Sequence, residues 1–430
     1  MIMTKKNPII LIPGFTGSNL YDQEGDLVWV EYSLKLTKLG DIVNMQNTLL
    51  VKNNEIDQVS LPEGEREYGA KGPFEYTYKK IIDELCDTFP ERGVYFFSYD
   101  FRQARSDSAK HLNQNIQSIL RKTGASKVDL IAHSLGGLVV STYLKTYGKE
   151  QAQKIIILAT PYEGTPETLN MAITGELKYL PNGVLDVVAK LTREIRTSLP
   201  SVGELVPTYP YVSKYPAYQY TGIVPNDGES ENMDTIFSEG GTYYTPAGFT
   251  QNAGMNVYEP MDRGQYKKIL KTLFGHDDGL RLKNDSRIVA TLKESYFIAG
   301  TNRQTIRSLI FSNETSDLKI THKIYDRSGD GYVPEDSATM YGYLKTLGKD
   351  PWGNERFLVL DEEHARIVSN TKALEWIIAI LSDANTSHIE SDIIIPDTSI
   401  QVKANGQQEI LLKLQKLVTS IKKQNETEEK

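Results

Sequence analysis

The sequence predicts an α/β protein whose mostly parallel central sheet carries helices on both faces and a large inserted cap. Three observations predict it. Short β-rich apolar runs alternate with helical patterns along the 430 residues, as a parallel sheet with crossover helices requires. One long tract, between about Thr165 and Ile288, breaks that rhythm. A small-residue turn, Ala132-His133-Ser134-Leu135-Gly136, joins an apolar run to an apolar helical pattern.

The elements follow in chain order. Residues 9–12 (IILI), 94–98 (VYFFS), 128–132 (VDLIA), 155–158 (IIIL), 296–299 (YFIA) and 357–360 (FLVL) are the expected strands. They are short and mostly continuously apolar, as strands covered on both faces are. Helices are expected over 76–88, 108–122, 137–147 and 372–381; the first carries Ile81, Ile82 and Leu85 at helical spacing. The tract from Thr165 to Ile288 is rich in Tyr, Pro and Gly, as in PTYPYVSKYPAYQYTG from Pro207. Its length marks an insertion on the core and not a loop. A second irregular tract runs from Ser33 to Ala70. Near the end, 392–403 (DIIIPDTSIQVK) predicts a strand interrupted by Pro396. Residues 408–423 then place Ile410, Leu414, Leu417, Val418 and Ile421 on one helical face, which docks on its own domain or meets a membrane surface or partner. The final NETEEK is expected to fray. The division is a discontinuous core (1–165 and 289–384), a cap (166–288) and a C-terminal appendage (385–430).

Composition narrows the function. Lys plus Arg number 48 and Asp plus Glu 56, a net charge of −8, with 24% of residues charged. That balance excludes disorder for the bulk of the chain and argues against nucleic acid as the main partner. A single cysteine, Cys86, excludes an intramolecular disulfide and a thiolate-based zinc site. The N-terminus has one continuous apolar run of four residues, whereas a secretory signal needs about 7–15 and a membrane span about 20. The expected location is the cytoplasm, with peripheral contact to a membrane allowed.

The 132–136 turn is an A-x-S-x-G variant of the nucleophile elbow. A sharp strand-to-helix turn lifts the Ser134 hydroxyl above the sheet edge, and small residues at 132 and 136 let the backbone segments approach. The plainer alternative is a serine that only caps the following helix. A serine hydroxyl needs a base, and the base needs a carboxylate to fix its tautomer, in the chain order serine, acid, histidine. Among His111, His133, His276, His322, His364 and His388, only His364 lies a few residues after the last strand. His111 precedes the serine, and His133 sits inside the elbow itself. The acid is sought in YDRSGDGYVPEDSA, where Asp330 occupies a tight Gly-Asp-Gly turn and Asp326 and Asp336 are rivals. The same stretch matches the first eight places of a calcium-binding loop, but its twelfth place is Ser337 where a bidentate Glu belongs. An oxyanion hole needs two backbone N–H groups. One belongs to Leu135, after the nucleophile, and Phe15, in the Gly-rich turn after residues 9–12, supplies the other.

Together and in this order, these segments resemble the lecithin:cholesterol acyltransferase family, which includes the lysosomal phospholipase/transacylases. The resemblance is carried by PGFTGSNL (13–20), YDFR (99–102), AHSLGG (132–137), TPYEGTPET (160–168), GDGYVP (329–334) and HARIVSN…LEWIIAIL from His364. It implies an α/β-hydrolase fold with a cap after the nucleophile half, matching Thr165 to Ile288. It implies Ser134 as nucleophile, Asp330 as acid, His364 as base, and Phe15 and Leu135 at the oxyanion positions. It also implies a membrane-binding excursion after the first strand, where DLVWVEYSLKLTKLG (26–40) offers Trp29. Two departures stand out: the secreted animal members are disulfide-bonded, and Phe101 stands where the family usually has Trp.

The function implied is a serine-dependent hydrolase or acyltransferase acting on a lipid ester, of lipase or phospholipase type. A small soluble ester or polyester is the alternative substrate, and a non-catalytic lipid- or protein-binding member of the fold is the alternative class. No cofactor or metal is expected, since no Gly-rich phosphate loop or HExxH pair is present.

Overall fold

A computed structural model provides the structure of the protein. It describes residues 6–21, 27–29, 66–67, 75–175, 193–215, 218–220, 258–275, 286–311, 318–392 and 401–404.

The chain opens with β1 (Ile9–Ile12), then a short antiparallel ribbon of β2 (Leu20–Tyr21) and β3 (Leu27–Trp29). After β4 (Arg66–Glu67) come β5 (Val94–Phe96), β6 (Val128–His133) and β7 (Ala152–Leu158). The short β8 (Tyr218–Tyr220) and β9 (Tyr258–Pro260) precede β10 (Ser295–Gly300). Then follow β11 (Thr305–Phe311), β12 (Ile320–Asp326), β13 (Phe357–Leu360) and β14 (Gln401–Ala404).

Seven of these strands form the central sheet, in the order β13-β10-β7-β6-β1-β5-β4. All neighbours are parallel except β4, which pairs antiparallel with β5 at one edge. The six parallel strands are the six expected apolar runs. β7 starts three residues before its apolar run and takes in the buried Lys154, which pairs with Asp383.

Alternation along each strand divides the core between two faces. Ile10, Ile12, Leu130 and Ile157 pack with the helices Arg105–Thr123 and Leu135–Tyr147. Ile9, Leu11, Ile131 and Ile156 pack with the helices Glu75–Thr88 and Thr371–Leu381, where Trp376 is fully buried. Each buried aliphatic side chain contributes roughly 1.5–3 kcal/mol. This layering with β6 near the middle is the α/β-hydrolase fold.

A second sheet has the order β14-β12-β11-β8-β9 and is antiparallel except for β11 with β8. It draws strands from all three expected segments. β8 and β9 come from the cap tract, β11 and β12 from the core tract, and β14 from the appendage. The sheet therefore crosses the expected boundaries near 288 and 385. An apolar cluster joins Leu169, Ile173, Tyr266 and Leu270 of the inserted tract to Ile306, Leu309 and Phe311 of β11. The tract itself contains the helices Pro166–Thr174, Pro200–Leu205, Tyr209–Lys214 and Arg263–Phe274.

Several expectations fall outside the described residues: most of the irregular tract 33–70, the interruption at Pro396, the helix 408–423 and the NETEEK end. Among the described residues, no helix is long and apolar enough to cross a membrane.

Candidate active site

Because β1, β6, β10 and β13 run parallel, their C-terminal ends share one edge of the sheet. At that edge, Ser134 adopts φ 52° and ψ −123°, a conformation a non-glycine residue rarely takes. Neighbouring elements hold it there. Ser134 N–H donates to Leu158 O at 2.9 Å. Gly137 N–H and the Thr160 hydroxyl donate to Ser134 O at 3.0 and 2.8 Å. The small residues are required by space. A Cβ on Gly136 would lie 2.6 Å from the carbonyl oxygens of Ile12 and Pro13. One on Gly14 would lie 2.8 Å from Ser134 Cβ. The loop after β1 is thus pressed against the elbow. Ser134 makes no side-chain capping bond to its helix, so the plainer capping alternative does not describe it.

The Ser134 hydroxyl instead meets His364, whose Nε2 lies 2.9 Å away. His364 Nδ1 lies 2.7 Å from Asp330 Oδ2. The other carboxylate oxygen accepts from the N–H groups of Tyr332 and Val333 at 3.0 and 2.7 Å. His364 N–H donates to Asp330 O at 3.0 Å, so the histidine is tied to the acid by main chain and side chain. A carboxylate only accepts, so Nδ1 carries the proton and Nε2 is left to accept from the serine hydroxyl. Asp330 is 1% exposed, whereas the His364 side chain is 14% exposed and Ser134 7%, so the carboxylate is sealed off while the imidazole and the serine reach solvent.

The β11–β12 hairpin separates β10 from the acid in sequence. A bridge between Arg303 and Asp330 then returns the chain to the end of β10. A Cβ on Gly300, the last residue of β10, would lie 2.7 Å from Asp330 Cβ.

The rival carboxylates face elsewhere. Asp326 accepts from the Ser328 N–H and hydroxyl at 3.0 and 2.8 Å and pairs with Arg307 at 3.1 Å. Asp336 accepts from Lys214 at 2.6 Å and from the Tyr215 hydroxyl. The carboxylates of the calcium-loop pattern are therefore directed at separate protein partners, not at one point. Among the described residues, no group of three or more His, Cys, Asp or Glu is arranged to hold a metal ion.

Phe15 and Leu135 flank the serine from the β1 loop and the elbow. Among the described residues, neither backbone N–H donates a hydrogen bond. The YDFR segment braces the β1 loop. Phe101 packs edge-on against Phe15 at 5.1 Å, and the Tyr99 hydroxyl donates to Pro13 O at 2.9 Å. Below them, Arg102 grips Asp100 in a fully buried two-point pair at 2.9 and 2.8 Å.

Of the other histidines, His388 is exposed beside Glu375. His322 lies on β12, and His276 is outside the described residues. Trp29 ends β3, opposite Leu20 in register. Sequence reasoning missed Tyr78 and Thr160, which reach the site from a distant helix and from the end of β7. TPYEGTPET begins at Thr160, but nothing in the string says that its first hydroxyl holds the elbow.

The arrangement suits acyl transfer: a held hydroxyl, an imidazole oriented by a buried carboxylate, and two N–H donors at the same sheet edge that are unengaged among the described residues. The sequence profile of the lecithin:cholesterol acyltransferase family matches residues 69–354. Lecithin-cholesterol acyltransferase-like 4 of Arabidopsis thaliana is 21% identical over 446 aligned positions, covering 91% of this chain and 79% of the relative. Phospholipase A(1) LCAT3, of the same plant, is 21% identical over 339 positions, covering 74% of each. A solved chain from the Tle4-Tli4 complex is similar at 15% identity with a TM-score of 0.49, covering 89% of this chain and 100% of that one. With the profile spanning about two thirds of its length, the chain belongs to the lecithin:cholesterol acyltransferase family and is an acyl hydrolase or acyltransferase of the α/β-hydrolase fold.

Proposed function

We propose that the protein is a serine-dependent lipid acyl-ester hydrolase or acyltransferase that works through an acyl-enzyme on Ser134. The observation that carries this reading is the hydrogen-bonded chain Ser134–His364–Asp330 at the elbow. Ser134 Oγ attacks the ester carbonyl as His364 Nε2 takes its proton. Asp330 keeps the imidazole oriented and stabilises the imidazolium. The N–H groups of Phe15 and Leu135 hold the developing oxyanion. His364 returns the proton to the leaving alkoxide, which departs as an alcohol. Water, or an acceptor alcohol, then attacks the acyl-enzyme by the reverse proton path, with hydrolysis the preferred outcome.

A lipid substrate is supported by family membership and by a relative named as a phospholipase A(1). Such substrates gather in aggregates, so the protein is proposed to meet a lipid–water interface peripherally, from the cytoplasm. The test is a series of p-nitrophenyl esters of increasing chain length. The lipid reading expects kcat/KM to rise with acyl length. A maximum at acetate, falling with each added methylene, would assign the protein to small soluble esters instead.

A further inference from the structure

Four groups on four separate segments form one hydrogen-bonded chain beside the candidate triad. Gly14 N–H, in the loop after β1, donates to Tyr78 Oη at 2.8 Å. Tyr78 Oη lies 2.8 Å from His133 Nδ1. His133 Nε2 lies 3.0 Å from the backbone carbonyl oxygen of His364. Tyr78 belongs to the helix Glu75–Thr88 and His133 ends β6, so the chain passes from loop to helix to strand to loop. Both side chains are buried, at 2% and 4% exposure.

The polarity of this chain follows from its ends. A carbonyl oxygen only accepts, so Nε2 of His133 carries the proton. In the neutral ring Nδ1 is then an acceptor, and the Tyr78 hydroxyl proton fills it. Gly14 N–H only donates, to a lone pair on Tyr78 Oη. Every donor therefore points the same way, from Gly14 toward His364, an arrangement in which each bond polarises the next. Burial keeps the ring neutral. It pushes the His133 pKa down to about 3, and the neighbouring His364 adds to the effect.

The serine mechanism needs two parts built on different segments to stay in register. One is the Phe15 N–H, one residue beyond Gly14. The other is the His364 ring, which also packs against the His133 ring with centroids 5.0 Å apart. We propose that Tyr78 and His133 are positioning residues that set the spacing between the oxyanion loop and the general base, a role that rests on the serine mechanism proposed above. Neither touches a reacting atom. Tyr78 holds the Gly14 peptide, His133 holds the His364 peptide, and one hydrogen bond joins them. A shift of either loop is thus resisted by the other.

The test compares Tyr78→Phe with Tyr296→Phe. Each removes one buried hydroxyl and keeps the ring. The Tyr296 hydroxyl binds Asp350 at 2.7 Å, near the end of β10 opposite the candidate site. The readouts are kcat and KM on a short p-nitrophenyl ester, the rate of fluorophosphonate labelling, and Tm. Tyr78→Phe is expected to lower kcat and the labelling rate roughly 10–100-fold, with KM changed less than about twofold. Tyr296→Phe is expected to lower Tm while kcat stays within about twofold. Because Tyr78 and His133 act through one path, Tyr78→Phe/His133→Gln adds less than about threefold to the larger single loss. Wild-type kcat in Tyr78→Phe, or losses that multiply in the double variant, overturns the proposal. Ser134→Ala, run alongside, separates the two readings. If it still takes the label, the serine mechanism fails. If it is inert while Tyr78→Phe labels at the wild-type rate, only the positioning role fails.

Discussion

His364 Nε2 lies 2.9 Å from Ser134 Oγ across 230 residues of chain. The ends of β6 and β13 bring the two together at one edge of the sheet. If His364 is the base, as proposed, removing it leaves the serine proton without an acceptor, and groups of this kind act as a unit. His364→Ala is therefore expected to lower kcat on the order of 10⁴–10⁶-fold with Tm little changed. His388→Ala, at an exposed position, and His322→Ala, on β12, are expected to keep most of the activity. Activity retained in His364→Ala but lost in His322→Ala would move the base to the second sheet.

The three neighbouring aspartates separate by what they hold. Asp330→Asn keeps an acceptor for the Tyr332 and Val333 N–H groups but loses the charge facing His364. It is expected to lower kcat about 10⁴-fold. Asp326→Asn weakens the pair with Arg307, and Asp336→Asn weakens the contact with Lys214. Both are expected to alter Tm more than turnover. Calcium or EDTA is expected to leave Tm unchanged, and a calcium-dependent rise would revive the loop-pattern reading.

Stability should carry a titration from His133. Its folded-state pKa is pushed down to about 3 from 6.5, so between these values the unfolded chain binds a proton that the folded one does not. Its contribution is complete above pH 6.5 and is lost as pH falls toward 3, at up to about 1.4 kcal/mol per pH unit. Urea unfolding between pH 4 and 7 checks this: His133→Gln should have the shallower acid slope. Equal slopes would mean that His133 is not held neutral by burial.

If the protein meets lipid aggregates, activity should rise as a substrate passes its solubility limit, and the protein should float with liposomes. Trp29→Ala is expected to reduce that rise more than it reduces hydrolysis of a short soluble ester. Indole rings favour the headgroup layer, since one end is apolar and the other can hydrogen-bond. Equal loss on both substrates would make Trp29 a core residue.

What the sequence made legible tracks how each element is buried. β1, β6 and β7 are covered on both faces and carry the unbroken apolar runs 9–12, 130–132 and 155–158. β11 and β12 mix Thr305, Arg307 and Ser308 or Thr321, His322 and Lys323 with aliphatics, so a search for continuous runs passes over them. β8 and β9 are three residues long, too short to show a period, whereas β14 lies at the end of the strand expected over 392–403. Ser134, Asp330 and His364 were legible because each follows a recognisable strand or turn. Tyr78 was not. Its hydroxyl reaches His133 from 55 residues away, and a tyrosine on an amphipathic helix looks like ordinary core.

The central claim is that Ser134 forms a covalent acyl intermediate. The most direct measurement is a fluorophosphonate reaction followed by peptide mass spectrometry on the full chain, wild type beside Ser134→Ala. The mechanism predicts one equivalent of label on Ser134, loss of esterase activity in step with labelling, and neither label nor activity in Ser134→Ala with the fold retained. Label on another residue, or a Ser134→Ala protein that still hydrolyses p-nitrophenyl esters at the wild-type rate, would contradict it.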